Sequence, residues 1–136
     1  MKRELRIIGQ AIDEAQLLAE RRLLPGMGAV VHFLGVVRGM ENDEPISGIH
    51  YEAFKKMAEH QFELIFKQIE QRWPIGSVRV VHCMGFVKAG MPSLWVEMIA
   101  PHRAEALEAC GFLIDEMKRV VPIWKHAVQE GQGTGG

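Results

Sequence analysis

The stretch from Pro101 to Lys125, PHRAEALEACGFLIDEMKRVVPIWK, constrains this chain more than any other. Projected at about 100° per residue, Ala106, Cys110, Leu113, Met117 and Val120 form one apolar stripe. Glu105, Glu108, Asp115 and Arg119 fall towards the opposite side. The spacing predicts one helix that must lay its stripe against a sheet or a second helix. Pro101 suits the first helical position, where its missing N–H costs nothing, and Pro122 predicts the end. His102 and Arg103 place two cation-capable side chains beside first-turn N–H groups that lack helical partners, a combination that favours a bound anion. Lys118 belongs to neither face. It shares a flank with Leu107, Gly111 and Ile114, where partial burial is expected. Trp124 and Lys125 follow Pro122 directly.

The remainder reads as alternating short elements. Glu4 to Ile8 alternates weakly and predicts an edge strand, and Ile12 to Arg22 an amphipathic helix stopped by Pro25 and Gly26. Gly28 to Gly39, GAVVHFLGVVRG, is dense in β-branched and aromatic residues and predicts a mostly buried strand, with Gly35 marking a bulge or a close backbone approach. Arg38 is the first charge after that run, followed by a polar loop, MENDEPISG. Ile49 to Phe54 predicts a strand. Ala58, Phe62, Ile65, Phe66, Ile69 and Trp73 then recur at helical spacing, so Met57 to Trp73 predicts a second helix. Ser77 to Cys83 and Leu94 to Ala100 alternate as strands, with a possible strand end and a turn through Gly90 and Pro92 between them. The order β, α, β, β, α, β, β, α indicates a single α+β domain with a mixed or antiparallel sheet. Residues 128–136 read as a flexible, Gly-rich tail.

Composition removes several classes of function. With 136 residues and 48% hydrophobic content, the chain can build a real core. A formal charge of −1 argues against a generic nucleic-acid-coating role, so any basic site is local. No segment approaches the roughly 20 apolar residues of a membrane span, and MKRELRIIGQ is too short an apolar run for a signal peptide. Cys83 and Cys110 show no metal or redox spacing, so reduced thiols in a cytoplasmic protein are expected. The histidines (32, 50, 60, 82, 102, 126) make no HxxxH or HExxH pattern, and no nucleotide-binding glycine fingerprint is present. Cys110 lies on the core stripe. Cys83 beside His82 leaves a nucleophile pair open.

What remains is a cationic set: Arg38, His102, Arg103, Lys118 and Lys125. Arginine recognises phosphate or carboxylate in a bidentate way. Lysine transfers protons or attacks as a nucleophile when its surroundings disfavour the charge.

Four motifs, FLGVVRG (33–39), IHYEAFKKMAE (49–59), APHR (100–103) and FLIDEMKRVVPIWK (112–125), resemble the catalytic (large) subunit of molybdopterin synthase, in order and with that family's spacing. The resemblance runs from about Gly28 to Lys125. It implies an α/β-hammerhead type α+β fold, a homodimer, and a partner on each subunit: a small ubiquitin-like sulfur carrier (MoaD type) whose C-terminal Gly-Gly thiocarboxylate enters the active site. It implies conversion of cyclic pyranopterin monophosphate to molybdopterin by adding two sulfurs, in the biosynthesis of the molybdenum cofactor, with no cofactor, metal, nucleic acid or membrane. Arg38, His102 and Arg103 match the family's substrate-binding residues, and Lys118 and Lys125 its catalytic lysines. Phe33, Val36, Val37 and His126 stand where further substrate or carrier-tail contacts are implied. In a dimer, such a pocket can be completed across the interface.

Departures from the family pattern motivate two alternatives. Where the family places a basic residue and then glutamate after the last lysine, His126 and Ala127 stand here, and Cys83 follows His82 where arginine is common. A catalytically impaired scaffold that still binds the carrier is one alternative. A carrier using its own Gly135-Gly136 is the other.

Overall fold

The computed structural model describes residues 1–130. The elements run β1 (Lys2–Ile8), α1 (Glu14–Ala19), β2 (Ala29–Val36), β3 (Met40–Glu41), β4 (Glu44–Ala53), α2 (Lys55–Arg72), β5 (Ser77–Cys83), β6 (Gly85–Lys88), β7 (Pro92–Ala100), α3 (Arg103–Val120) and β8 (Ile123–Gln129). The main sheet has the order β1-β5-β7-β2, with β1 parallel to β5 and the other pairs antiparallel. The second sheet has the order β3-β4-β6, and β8 pairs with β4. The architecture is one mixed α+β domain, as the periodicities predict.

Alternation on β5 and β7 sends Val78, Val80, Val96 and Met98 into a core with α2 and α3. From α2 come Phe62, Ile65, Phe66 and Ile69, and from α3 Ala106, Ala109, Cys110, Leu113 and Met117. Ala106 and Ala109 are fully buried; their small side chains let α3 lie close to the sheet. Burying a side chain such as Phe62 or Leu113 contributes about 2 kcal/mol each. Both helices stop two positions before a proline, at Arg72 before Pro74 and at Val120 before Pro122. The other side of the main sheet packs on the second sheet and α1 through Leu17, Val37, Ile49, Val81, Val87 and Trp95. Within the second sheet, Gly48 lets β6 lie against β4: a Cβ there would run into the Val87 carbonyl and the Phe86 ring.

One buried acid organises that second side. Glu97, 1% exposed on β7, accepts from Arg79 Nε at 2.8 Å and Arg79 Nη2 at 2.9 Å, and from Arg21 Nε at 2.9 Å. His32 Nε2 lies 3.2 Å from Glu97 Oε2. Arg79 also donates to the Leu17 carbonyl at 2.9 Å and stacks over Trp95 at 4.9 Å. Burial alone would raise the Glu97 pKa, but the hydrogen bonds from Arg79, Arg21 and His32 outweigh it and lower the value to about 2. The hub thereby ties α1 and its following turn to the sheet.

Several expectations need correction. The helix foreseen over Ile12 to Arg22 is only Glu14–Ala19, capped by Asp13 Oδ1 accepting from Gln16 N at 3.1 Å. Its end tightens into a turn in which Arg21 N donates to the Leu18 carbonyl at 3.2 Å, and the Glu20 and Arg21 side chains form ion pairs with Arg6 and Glu97. β2 is not mostly buried. Among the described residues it pairs with β7 alone, and His32, Leu34 and Val36, alternating on one face, are exposed. The register shift between Gly35 and Val36 is the foreseen bulge. The polar loop MENDEPISG is instead a hairpin. Asn42 and Asp43 turn it with φ of 52° and 64°, a conformation these two side chains tolerate better than most, and β4 begins at Glu44. Residues after Pro122, read as the end of the helical stretch and a tail, form β8 as far as Gln129; Gly131 to Gly136 lie outside the described residues. Pro101 precedes the helix, and His102 is its N-cap.

Candidate functional site

α3 carries three members of the cationic set. His102 caps it without a side-chain hydrogen bond, Arg103 is its first residue, and Lys118 stands in its last turn. All three are exposed. The flank expected to shield Lys118 is open, because Leu107 is 57% exposed and Gly111 faces solvent. Of that flank, Ile114 is the member that packs against the core. The first turn of α3 also holds Glu105, whose buried Oε2 has no hydrogen-bond partner among the described residues. This carboxylate already complements the helix N-terminus.

Fifteen residues separate Arg103 from Lys118, about 22 Å along a helix axis. The sheet shows the same separation. Ala29 pairs with Ala100 and Val36 with Pro92. His102 and Arg103 therefore follow one end of β7, while Arg38 follows the end of β2 that lies beside the start of β7. α3 folds back along β7 and β2, which brings Lys118 towards Arg38. Lys125 joins that end through β8, directly opposite Tyr51 of β4, and Tyr51 Oη donates to Ser93 Oγ near the start of β7 at 3.2 Å. The fold gathers Arg38, Lys118 and Lys125 at one end and leaves His102 and Arg103 at the other.

The polar contacts separate the arginines into paired and unpaired ones. Arg3, Arg6, Arg21, Arg79 and Arg119 all form ion pairs, and Arg72 stacks on Trp73 and Phe112. Among the described residues the side chains of Arg38, Arg103, Lys118 and Lys125 make no hydrogen bond or ion pair, a state shared by Arg22 and by Lys2, Lys55, Lys56, Lys67 and Lys88, so motif position rather than pairing distinguishes them. Uncompensated cations at matching motif positions are available for an anionic ligand.

The implied contact residues divide. Phe33 turns towards the main core and is half-buried, and Val36 is 46% exposed. Val37 is 2% exposed, its N–H donating to Met91 and its carbonyl accepting from Gly90, so its side chain offers no contact surface. His126 pairs with His50 on the face of β8 away from Lys125. There, with Phe54, Met84 and Trp124, it lines a concavity of about 590 Å³. A second concavity of about 520 Å³ lies beside Lys2, Arg22 and Ser77. Neither is lined by Arg38, His102, Arg103, Lys118 or Lys125.

The nucleophile pair does not form. His82 Nδ1 lies 3.1 Å from the Cys83 carbonyl, whereas Cys83 Sγ donates to the Gln10 carbonyl at 3.1 Å. Burial lowers the His82 pKa and raises that of Cys83, and both shifts oppose an imidazolium–thiolate pair. Burial also raises the Cys110 thiol, within the core stripe as foreseen. Among the described residues no three His, Cys, Asp or Glu side chains are grouped to hold a metal ion, and no helix is long and apolar enough to cross a membrane.

Residues 7–120 match the family described as MoaE protein. The chain belongs to the MoaE family. Among relatives of this MoaE-family chain, the human "Molybdopterin synthase catalytic subunit" is 33% identical over 124 residues, covering 91% of this chain and 64% of the relative. The protein of the same name from Thermoplasma volcanium is 35% identical and covers 86% of each. The chain spans 53% of the length of the rat relative. Among solved structures, molybdopterin synthase from Staphylococcus aureus superposes with a TM-score of 0.84 at 29% identity, covering 93% of this chain and 92% of that one. A Helicobacter pylori structure described as a protein–protein complex of subunits 1 and 2 of molybdopterin-converting factor gives 0.77 at 25% identity, covering 94% and 86%. The MoaE fold thus agrees with the α+β expectation drawn from the motifs.

Nothing in the sequence ties Tyr51 and Ser93 to the cationic set. Tyr51 lies within the IHYEAF motif, but only the register with β8 places it opposite Lys125.

Proposed function

We propose that this chain is the catalytic subunit of a molybdopterin synthase, a sulfurtransferase that converts cyclic pyranopterin monophosphate to molybdopterin. The observation that carries this reading is a MoaE fold in which the motif cations Arg38, Lys118 and Lys125 lie towards one end. Two sulfurs come from the thiocarboxylated C-terminus of a small ubiquitin-like carrier. In each transfer a carbon–sulfur bond forms as a carbon–oxygen bond at the same side-chain carbon breaks, its oxygen leaving on the phosphate or as water, and the acyl–sulfur bond of the carrier is hydrolysed. Water supplies the oxygen that leaves the carrier as a carboxylate. Arg38 holds an anionic group of the substrate, while Lys118 and Lys125 move protons at the carbons receiving sulfur. His102 and Arg103, about 22 Å from Lys118 along α3, reach the same substrate only from a second copy. The working unit in this reading is a homodimer that binds two carriers. The carrier alternative, in which this chain uses its own Gly135-Gly136, finds no support in a MoaE family match over residues 7–120.

The test is single-turnover conversion with a thiocarboxylated carrier, wild type beside Lys118→Ala. Dithiolene product from wild type and a fall of about 10²- to 10⁴-fold in the variant are expected for loss of a positioned proton-transfer group. Equal rates would clear Lys118 of the chemistry. No product from wild type, with the carrier still bound, would establish the scaffold alternative.

A further inference from the structure

We infer that Tyr51 and Ser93 form a positioning strut that sets the Arg38 loop and the Lys125 strand relative to each other. This rests on the reading that Arg38 and Lys125 serve one site. The two cations sit on different sheets, Arg38 just beyond β2 of the main sheet and Lys125 on β8 of the second. Something must hold the two sheets in register at this end, because a misplacement of about 1 Å can cost on the order of 100-fold in rate.

Tyr51 is directly opposite Lys125 in the β4–β8 ladder. Directly opposed side chains share a face, with Cβ atoms about 5 Å apart. The Tyr51 hydroxyl leaves that face and donates to Ser93 Oγ at 3.2 Å; Ser93 Oγ donates onward to the Gly35 carbonyl at 3.5 Å. Gly35 is the first residue of the β2 bulge, three positions before Arg38. The turn before Ser93 grips the same segment from its other side: Val37 N donates to the Met91 carbonyl at 3.0 Å and Gly90 N to the Val37 carbonyl at 2.7 Å. The four residues Gly90 to Ser93 therefore hold the chain on both sides of Val36, and Tyr51 links that clamp to the strand of Lys125. The His82 ring, 5% exposed, packs edge-on against Tyr51 at 5.4 Å and limits the directions its hydroxyl can take.

Hydroxyl direction makes the strut specific. Ser93 has one proton, so donating to Gly35 requires it to accept from Tyr51. Removing either hydroxyl breaks this side-chain link while leaving in place the Ile46 N to Gly39 carbonyl bond at 3.0 Å and the apolar packing of Ile49, Val87 and Trp95.

The experiment compares wild type with Tyr51→Phe, Ser93→Ala and the double variant. Backbone amide shifts and single-turnover rates are read at full folding and saturating carrier. Tyr51→Phe is expected to move the amide signals of Gly35 to Arg38 as well as that of Lys125. The rate is expected to fall about tenfold for each single variant with little further loss in the double, as for two groups acting in one network, and with carrier affinity unchanged. Amide changes confined to the neighbours of Tyr51, or rate losses that multiply in the double variant, would overturn the strut. The amide readout stands without turnover. If wild type formed no product, coupled shifts at Arg38 and Lys125 would still support the strut while the assigned function failed, and confined shifts would still overturn it.

Discussion

Replacing Glu97 with glutamine keeps the side chain's shape and removes the charge on which Arg79, Arg21 and His32 converge. The carboxyl is 1% exposed, and its pKa in the folded chain is about 2 against an ordinary value of 4.5. A folded-state pKa below the unfolded one means that the unfolded chain binds the proton more tightly. The ionised carboxylate therefore stabilises the fold above the unfolded value, and this contribution is lost as pH falls through the folded one. The difference corresponds to about 3 kcal/mol at neutral pH, of which about 2 kcal/mol remains near pH 3.5. Glutamine also leaves two guanidinium groups facing a neutral amide; breaking a buried pair from one side costs about 3–5 kcal/mol. Urea unfolding of wild type and Glu97→Gln should therefore differ by about 3 kcal/mol or more near pH 7. The gap should narrow by about 1 kcal/mol near pH 3.5. A gap below about 1 kcal/mol near pH 7, the range of an exposed ion pair, or one that stays constant as the pH falls, would refute the claim that this hub carries stability.

Two further outcomes follow from the geometry. If His102 and Arg103 complete a site across a two-fold axis, mixing inactive His102→Ala and Lys118→Ala chains should restore about a quarter of wild-type turnover, since half of the dimers are mixed and each mixed dimer has one intact site. No recovery from mixed dimers would place all the site residues within one chain. Gly48→Ala should lower stability by about 1–3 kcal/mol, because its Cβ meets the Val87 carbonyl, a backbone atom that cannot rotate away; an unchanged urea midpoint would show that β4 and β6 can separate without cost.

The strands Ser77–Cys83 and Pro92–Ala100, and the helices over 55–72 and 103–120, were legible because their signals are local. A period of two or 3.6 residues needs no knowledge of the partner, and prolines mark the ends. The hairpin at Asn42-Asp43 was harder to see because neither turn residue is glycine. β8 was missed because WKHAVQ has little alternation of its own; it is a strand because β4, more than 70 positions earlier, offers it an edge. Glu97 read as an ordinary strand residue, since its partners Arg21, His32 and Arg79 are scattered along the chain.

By itself the sequence determined the family, the α+β class and the identity of the cations, since motif spacing and periodicity are properties of neighbouring residues. Tertiary structure alone decided where those cations stand. β2 lies at a sheet edge, Lys118 is open to solvent rather than shielded, and α3 spans the length of the sheet with His102 and Arg103 at one end and Lys118 at the other. The physical reason is that exposure and separation are set by what packs on each element, and the partners of β2, β8 and α3 are distant in the chain.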